Sequence, residues 1–251
     1  MIPEPLTTAL PARHGFFTRQ GGVSRGPYAS LNCSLSGHDD QALVLENRAR
    51  AARAVGADPA ALVGLTQVHG AEVVTVAAPW PPGSGARADA MVTRRCGLAL
   101  GIVSADCAPV LFADPAAGVI GAAHAGWRGA VAGVLEATLA AMLALGARAE
   151  QVVAAIGPCI GPASYEVAAD LREAVLARAA DDARFFVPGR PERWMFDLAG
   201  YCAARLRAAG IATVAAARAD TAAEPERFFS HRRRTLAGGG PIGHQISLVV
   251  L

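Results

Sequence analysis

No lysine occurs in this chain; all 23 basic residues are arginine. That excludes a Schiff-base lysine and the lysine of a phosphate-binding P-loop. Cysteine is scarce and irregular: Cys33, Cys96, Cys107, Cys159 and Cys202 are odd in number and include no Cys-x-x-Cys pair. A disulfide framework is therefore not expected, and a reducing cytoplasm fits better. Histidine numbers six, with no His-x-His pair, too few and too scattered for the donor-rich sites of a multicopper oxidase. No apolar run reaches transmembrane length. Met1-Ile2-Pro3-Glu4-Pro5 lacks the charged and apolar regions of a secretory leader. Net charge is only +2, so nothing in the composition points to nucleic acid or a membrane surface. There is no internal repeat and no Pro/Ser-rich linker, so residues 1–251 are expected to form one domain.

What the chain has in plenty is core material. Hydrophobic residues make up 53% and charged residues 18%, the balance of a folded globular chain. A helix is expected from an N-cap at Asp39 or Asp40 to Val55, stopped by Gly56, and a long Ala/Leu helix over 130–145, stopped by Gly146. Further helices are expected near 167–179 and from Asp197 to Ala209. Short strands are expected at 14–19, 62–68, 72–78, 89–93, 98–104, 109–113, 119–124, 152–156, 211–217 and 245–251. Many adjoin without an intervening helix. That predicts the α/β class of the α+β type, a mixed β-sheet flanked by helices, rather than a pure βαβ wind.

His69, Cys107 and His124 stand at strand ends, in Gln67-Val68-His69-Gly70, Ala105-Asp106-Cys107 and His124-Ala125-Gly126-Trp127-Arg128-Gly129. They are too far apart in sequence for a local zinc motif, and a lone strand-end histidine is more often structural. Two imidazoles and a thiolate can nonetheless hold a zinc ion and leave its fourth position open. The Gly-rich turn after His124 opens a helix, so its N–H groups and Arg128 can face an anion. A turn that merely packs Trp127 is the equal alternative at this point. Gly157-Pro158-Cys159-Ile160-Gly161-Pro162 is another rigid turn, in which a buried structural role for Cys159 is favoured over a reactive thiol. Ser230-His231-Arg232-Arg233-Arg234 is a basic cluster, able to bind phosphate or carboxylate or simply to be a solvated turn.

Taken together with His14-Gly15-Phe16-Phe17-Thr18-Arg19-Gln20-Gly21-Gly22-Val23-Ser24, Ser30-Leu31-Asn32, Glu46-Asn47-Arg48 and Tyr165-Glu166-Val167, these segments resemble the YfiH/laccase-domain family. That family is also called the polyphenol oxidase or purine nucleoside phosphorylase family. The likeness runs from about His14 to Leu251, and HAGWRG with GPCIGP is its most specific part. It implies a cytoplasmic enzyme with zinc ligands at His69, Cys107 and His124, copper being the alternative metal. It implies phosphorolysis of adenosine, inosine and methylthioadenosine, and deamination of adenosine. Catalytic roles fall on His69, Cys107, His124 and Arg48. Asn32, Arg48, Gln67, Arg128 and Arg233, standing in or beside matched segments, are taken as contacts to a purine nucleoside and phosphate. A monomer acting on small molecules is expected.

Three other functions stay open. One is a Cys–His amide hydrolase that edits cell-wall precursors, with Cys107 as nucleophile, His124 as base and Asp106 or a nearby carboxylate assisting. The second is a copper-dependent polyphenol oxidase, and the third a binding protein with a metal-stabilised fold. The chain departs from the family pattern at Asp220, where cysteine is usual, at His231, where tyrosine is usual, and within Gly238-Gly239-Gly240, where Gly-Arg is usual.

Overall fold

A computed structural model describes residues 3–251. In chain order the elements are β1 (Arg13–Phe16), α1 (Gln41–Ala54), β2 (Leu62–Gly64), β3 (Val73–Thr75), β4 (Ala90–Thr93), β5 (Ala99–Ser104), β6 (Ala108–Asp114) and β7 (Val119–Ala125). There follow α2 (Trp127–Ala132), α3 (Val134–Ala144), β8 (Val153–Ile156), β9 (Glu166–Val167), α4 (Ala169–Arg178), β10 (Phe186–Pro188) and β11 (Trp194–Phe196). The chain ends with α5 (Leu198–Ala208), β12 (Thr213–Ala216), α6 (His231–Leu236) and β13 (Gln245–Val250).

The hairpin β6–β7 is the centre. Every residue of both strands is buried, and alternate side chains face opposite ways. Val110, Phe112 and Ala123 pack toward Leu135, Leu139, Cys202 and Leu206 of α3 and α5. Leu111, Ala113, Ile120 and Ala122 face the other way, onto Leu100, Ile102 and Val249. This second set lies between two sheets: one of six strands, ordered β12-β8-β6-β7-β4-β3, and one of four, ordered β1-β13-β5-β2. The outer face of the four-stranded sheet is covered by α1, where Ala51 and Ala52 meet Leu62, Ile246 and Leu248. The layers thus run helix, sheet, sheet, helices, with an apolar seam on each side of each sheet. Each fully buried aliphatic side chain in them contributes about 1.5–3 kcal/mol.

Both sheets are mixed. β12 runs parallel to β8, β3 parallel to β4 and β2 parallel to β5, while the remaining pairs are antiparallel. The single flanked sheet expected from the sequence is therefore three sheets. The third, β10-β11-β9, is small and antiparallel. Its strands are of two or three residues, too short for a local pattern to mark them, and β9 lies far in sequence from its partner β11. The helix expected over 130–145 is two helices, divided at Gly133, whose φ of 98° is left-handed and open to glycine at little cost. The arginine run after Ser230, read as a possible turn, forms α6, capped by the Ser230 side chain accepting from Arg233 N. Among the described residues, no helix is long and apolar enough to cross a membrane.

The register brings five strand ends to one place. Ser104 at the end of β5 pairs with Gln245 at the start of β13. His124 near the end of β7 pairs with Pro109 at the start of β6, and Ala123 with Ala90 at the start of β4. By alternation His124 shares the inter-sheet face of Ile120 and Ala122, so it points into the open end of the space between the sheets.

Candidate functional site

The organising group at that end is Asp89, immediately before β4 and fully buried. Its Oδ1 accepts from His69 N (2.9 Å) and from the His124 ring at Nδ1 (2.8 Å). Its Oδ2 accepts from Val68 N (3.1 Å) and Gly70 N (2.6 Å). One carboxylate thus wraps the turn at residues 68–70 around itself and holds His69 at φ 61°, a backbone region costly for a residue with a side chain. Burial pushes the Asp89 carboxyl up, but His124 and the turn's N–H groups outweigh it and hold it below its ordinary value. An ionised Asp89 accepts from the proton-bearing Nδ1 of His124, so that once Nε2 gives up its proton on a metal's arrival His124 presents that nitrogen outward as a lone-pair donor.

Cys107 precedes β6, and its Sγ lies 3.9 Å from His69 Nε2. The His69 and His124 rings meet edge to face at 4.8 Å. One donor atom from each of His69, Cys107 and His124 falls within 4.8 Å of the others. A tetrahedral zinc with bonds of about 2.3 Å to sulfur and 2.0–2.1 Å to nitrogen needs S–N separations of about 3.6 Å. The three side chains fit such an ion with small rotations. Burial by itself raises the Cys107 thiol, yet His124 and His69 reverse this and bring it to about 6. Burial likewise lowers His124, while Cys107 and Asp89 push it up to about 9. The site is therefore built around a thiolate, the form that binds metal or acts as a nucleophile.

The glycines of HAGWRG have a local reason. A Cβ on Gly126 would sit 3.0 Å from both Cys107 Sγ and His69 Cδ2, and one on Gly129 would meet Gly70 O at 2.8 Å. Only glycine lets the turn after β7 close over the donors.

The three donors open on a cavity of about 570 Å³, within the usual range for a small-molecule site, roughly 300–1,000 Å³. Both large sheets line it, and the rim carries two guanidinium–aromatic stacks. Arg128 lies 4.4 Å over Trp127, and Arg232 lies 5.4 Å over Tyr165.

The other residues singled out from the sequence divide into two groups. Arg48 and Arg128 line the cavity. Arg48 is buried, and its side chain's one hydrogen bond among the described residues goes to Cys33 O at 3.1 Å. Gln67 lines the cavity too, but its amide is tied at both ends to the Val103 main chain, Nε2 to O (2.8 Å) and Oε1 to N (3.0 Å). Asn32 and Arg233 stand behind the wall rather than in it. Asn32 Oδ1 accepts from His244 N and Ser34 N. Arg233, expected beside phosphate, donates to three carbonyls, Thr221 O, Ala222 O and Phe228 O. Asp106 does not assist His124: its carboxylate accepts from Thr221 Oγ1, Ser230 Oγ and Arg232 N, so Asp89 is the carboxylate beside that imidazole. Of the departures from the family pattern, His231 lines the cavity. Asp220 caps its own turn and accepts from Ser164 Oγ, and Gly238, Gly239 and Gly240 form an exposed left-handed run. Cys159 is buried. Two residues of the site were not anticipated: Asp89, whose only signal is a lone acid opening an apolar strand, and His244, which lines the cavity one residue before β13.

A cluster of two imidazoles and a thiolate, braced by a buried carboxylate and opening on a cavity between two mixed sheets, defines a metal-capable small-molecule site. Residues 13–251 match the family described as multi-copper polyphenol oxidoreductase laccase, and the chain belongs to that family. It is 43% identical over 225 residues to a Streptomyces griseus protein named purine nucleoside phosphorylase ORF3, covering 89% of this chain and 90% of the relative. It is 38% identical to an Escherichia coli protein named purine nucleoside phosphorylase YfiH, covering 88% of each. Its fold superposes on the crystal structure of Neisseria meningitidis protein NMB0706 with a TM-score of 0.88 at 32% identity, over 100% of this chain and 99% of that one.

Proposed function

We propose that this chain is a zinc-dependent purine nucleoside enzyme. Its reactions are phosphorolysis of adenosine, inosine and methylthioadenosine, and deamination of adenosine, carried out in the cytoplasm by a monomer. The observation that carries this reading is the pairing, in one cavity, of the His69–Cys107–His124 donors with Arg48, a buried guanidinium that has no carboxylate partner among the described residues. The relatives' name, purine nucleoside phosphorylase, supports the phosphorolysis part of this reading. Among the described residues there is one group of three such donors, enough for a catalytic zinc and too few for the several coppers of a laccase.

When bound, the zinc ion supplies Lewis acidity and lowers the pKa of a coordinated water to about 7. The protein's own residues do the rest. Asp89 fixes the His124 tautomer and the His69 turn. Arg48 offers its remaining N–H groups to phosphate oxygens. Trp127 and Tyr165, each backed by a guanidinium, offer faces to a planar base. In phosphorolysis a phosphate oxygen bonds to ribose C1′ as the C1′–N9 bond breaks; the bond's electron pair leaves with the purine, which takes up a proton. In deamination a water oxygen bonds to C6 of adenine, and the amino group leaves as ammonia.

Arg48→Ala should raise the phosphate KM by roughly 10–100-fold, the range for losing hydrogen bonds to a charged group. Steady-state kinetics with inosine and varied phosphate measure this, with the release of hypoxanthine and ribose 1-phosphate followed by chromatography. An unchanged KM removes Arg48 from the phosphate site, and an absence of phosphate-dependent base release by the wild type defeats the phosphorylase reading.

A second reading has its own support in the geometry. Cys107, His124 and Asp89 stand in the order nucleophile, base and orienting carboxylate, as in a Cys–His amide hydrolase. It requires activity that survives chelation, whereas the zinc enzyme loses activity with its metal.

A further inference from the structure

Arg48, Cys33, His244 and Asn32 are tied together by hydrogen bonds that each involve a main-chain atom. Arg48 donates to Cys33 O (3.1 Å), Cys33 N donates to His244 O (3.0 Å), and His244 N donates to Asn32 Oδ1 (2.9 Å). The approach to His244 is pinned as well, because a Cβ on Gly243 would stand 2.6 Å from the Phe229 ring. Arg48, Ser34 and His244 therefore reach the cavity wall from one rigid patch.

The ring of His244 is divided. Nδ1 is shut off from solvent and has no hydrogen-bond partner among the described residues. Because His244 lines the cavity and its Nδ1 is shut off, Nε2 is the ring nitrogen left to face it. A buried N–H without an acceptor is a rarer and costlier defect than a buried lone pair without a donor. The neutral ring therefore carries its proton on Nε2, facing the cavity. Burial first, and then the positive charges that His124, His231 and Arg234 can carry, lower this imidazole to about 4. A group whose pKa falls so far is uncharged at neutral pH.

We infer that His244 Nε2–H and the Arg48 guanidinium form an oxyanion subsite, which takes a tetrahedral phosphate-type anion with Arg48 balancing its charge and His244 as the neutral donor that orients it. The assignment rests on the nucleoside reading only in naming inorganic phosphate as the occupant. A phosphate ester offers the same chemistry and is the other source to be tested.

The test is calorimetric titration of inorganic phosphate, and separately of ribose 5-phosphate, into the metal-loaded full chain and its His244→Leu and His244→Gln variants. Glutamine keeps a donor N–H near the position of Nε2 and leucine does not. Inorganic phosphate should bind the wild type, bind His244→Leu about 10–100-fold more weakly, and recover to within a few-fold in His244→Gln. Imidazole NMR should show one Nε2–H tautomer that does not titrate between pH 5.5 and 8, a readout that a merely space-filling ring would not require. Tighter binding of ribose 5-phosphate than of phosphate would assign the subsite to an ester. Equal phosphate affinity in wild type and His244→Leu, or no binding of either anion, overturns the subsite. Adenosine deamination needs no phosphate, so its persistence would leave the nucleoside reading standing. His244-dependent anion binding without any nucleoside turnover would do the reverse.

Discussion

Asp89→Asn is expected to lower metal affinity by about 10–100-fold and to lower activity with it, although residue 89 is not one of the three metal donors. The reason is geometric. The carboxylate accepts four bonds, from Val68 N, His69 N, Gly70 N and His124 Nδ1, and an amide has one oxygen to offer them. The amide nitrogen would face donors, which frees the turn that holds His69 and lets His124 adopt the wrong tautomer. Losses of that size are typical when the group orienting a ligand histidine is removed. Competition with a chromogenic chelator gives the affinity. Full metal affinity in the variant would show that the three donors are positioned by their own strands alone, and that Asp89 braces nothing the metal needs.

Asp106→Ala should cost about 3 kcal/mol or more, because it leaves two buried hydroxyls and a half-buried main-chain N–H without an acceptor. Those donors, Thr221 Oγ1, Ser230 Oγ and Arg232 N, belong to a segment more than a hundred residues away. Asp106 is thus the clamp that brings the start of α6, and with it His231 and Arg232, to the cavity. For a chain of this size the cost corresponds to a fall in Tm of roughly 6–12 °C. Thermal unfolding followed by circular dichroism measures it. A shift below about 1 °C would mean that the C-terminal segment is held by its own packing.

These two acids also separate what is legible in the sequence from what is not. The helix Gln41–Ala54 is legible because Asp40 caps it and Gly56 ends it, both local signals. The hairpin β6–β7 is legible because both strands are apolar except for Asp114 and His124 near their ends. The three donors stand out because each interrupts such a strand pattern with a polar residue and a turn former. Their meeting is not legible, since it depends on a register set by β4, β6 and β7 together. Asp89 escapes notice because a single acid before a strand has many ordinary explanations. Residue type alone places Asn32 and Arg233 in the site, but the carbonyl and amide groups they satisfy are visible only once the chain has folded. Gly133 breaks a helix because of its left-handed φ, and the Ala/Leu pattern around it continues as though unbroken.

If His69, Cys107 and His124 hold a metal on which nucleoside chemistry depends, metal and activity must be lost together. The most direct measurement is elemental analysis of purified wild type beside Cys107→Ala, with adenosine turnover in the presence and absence of phosphate assayed on the same samples. About one zinc per chain is predicted in the wild type, lost in the variant together with the production of adenine and inosine. A metal-free wild type that turns over substrate through Cys107, unaffected by chelator, would contradict the zinc enzyme and leave the Cys–His hydrolase as the better description.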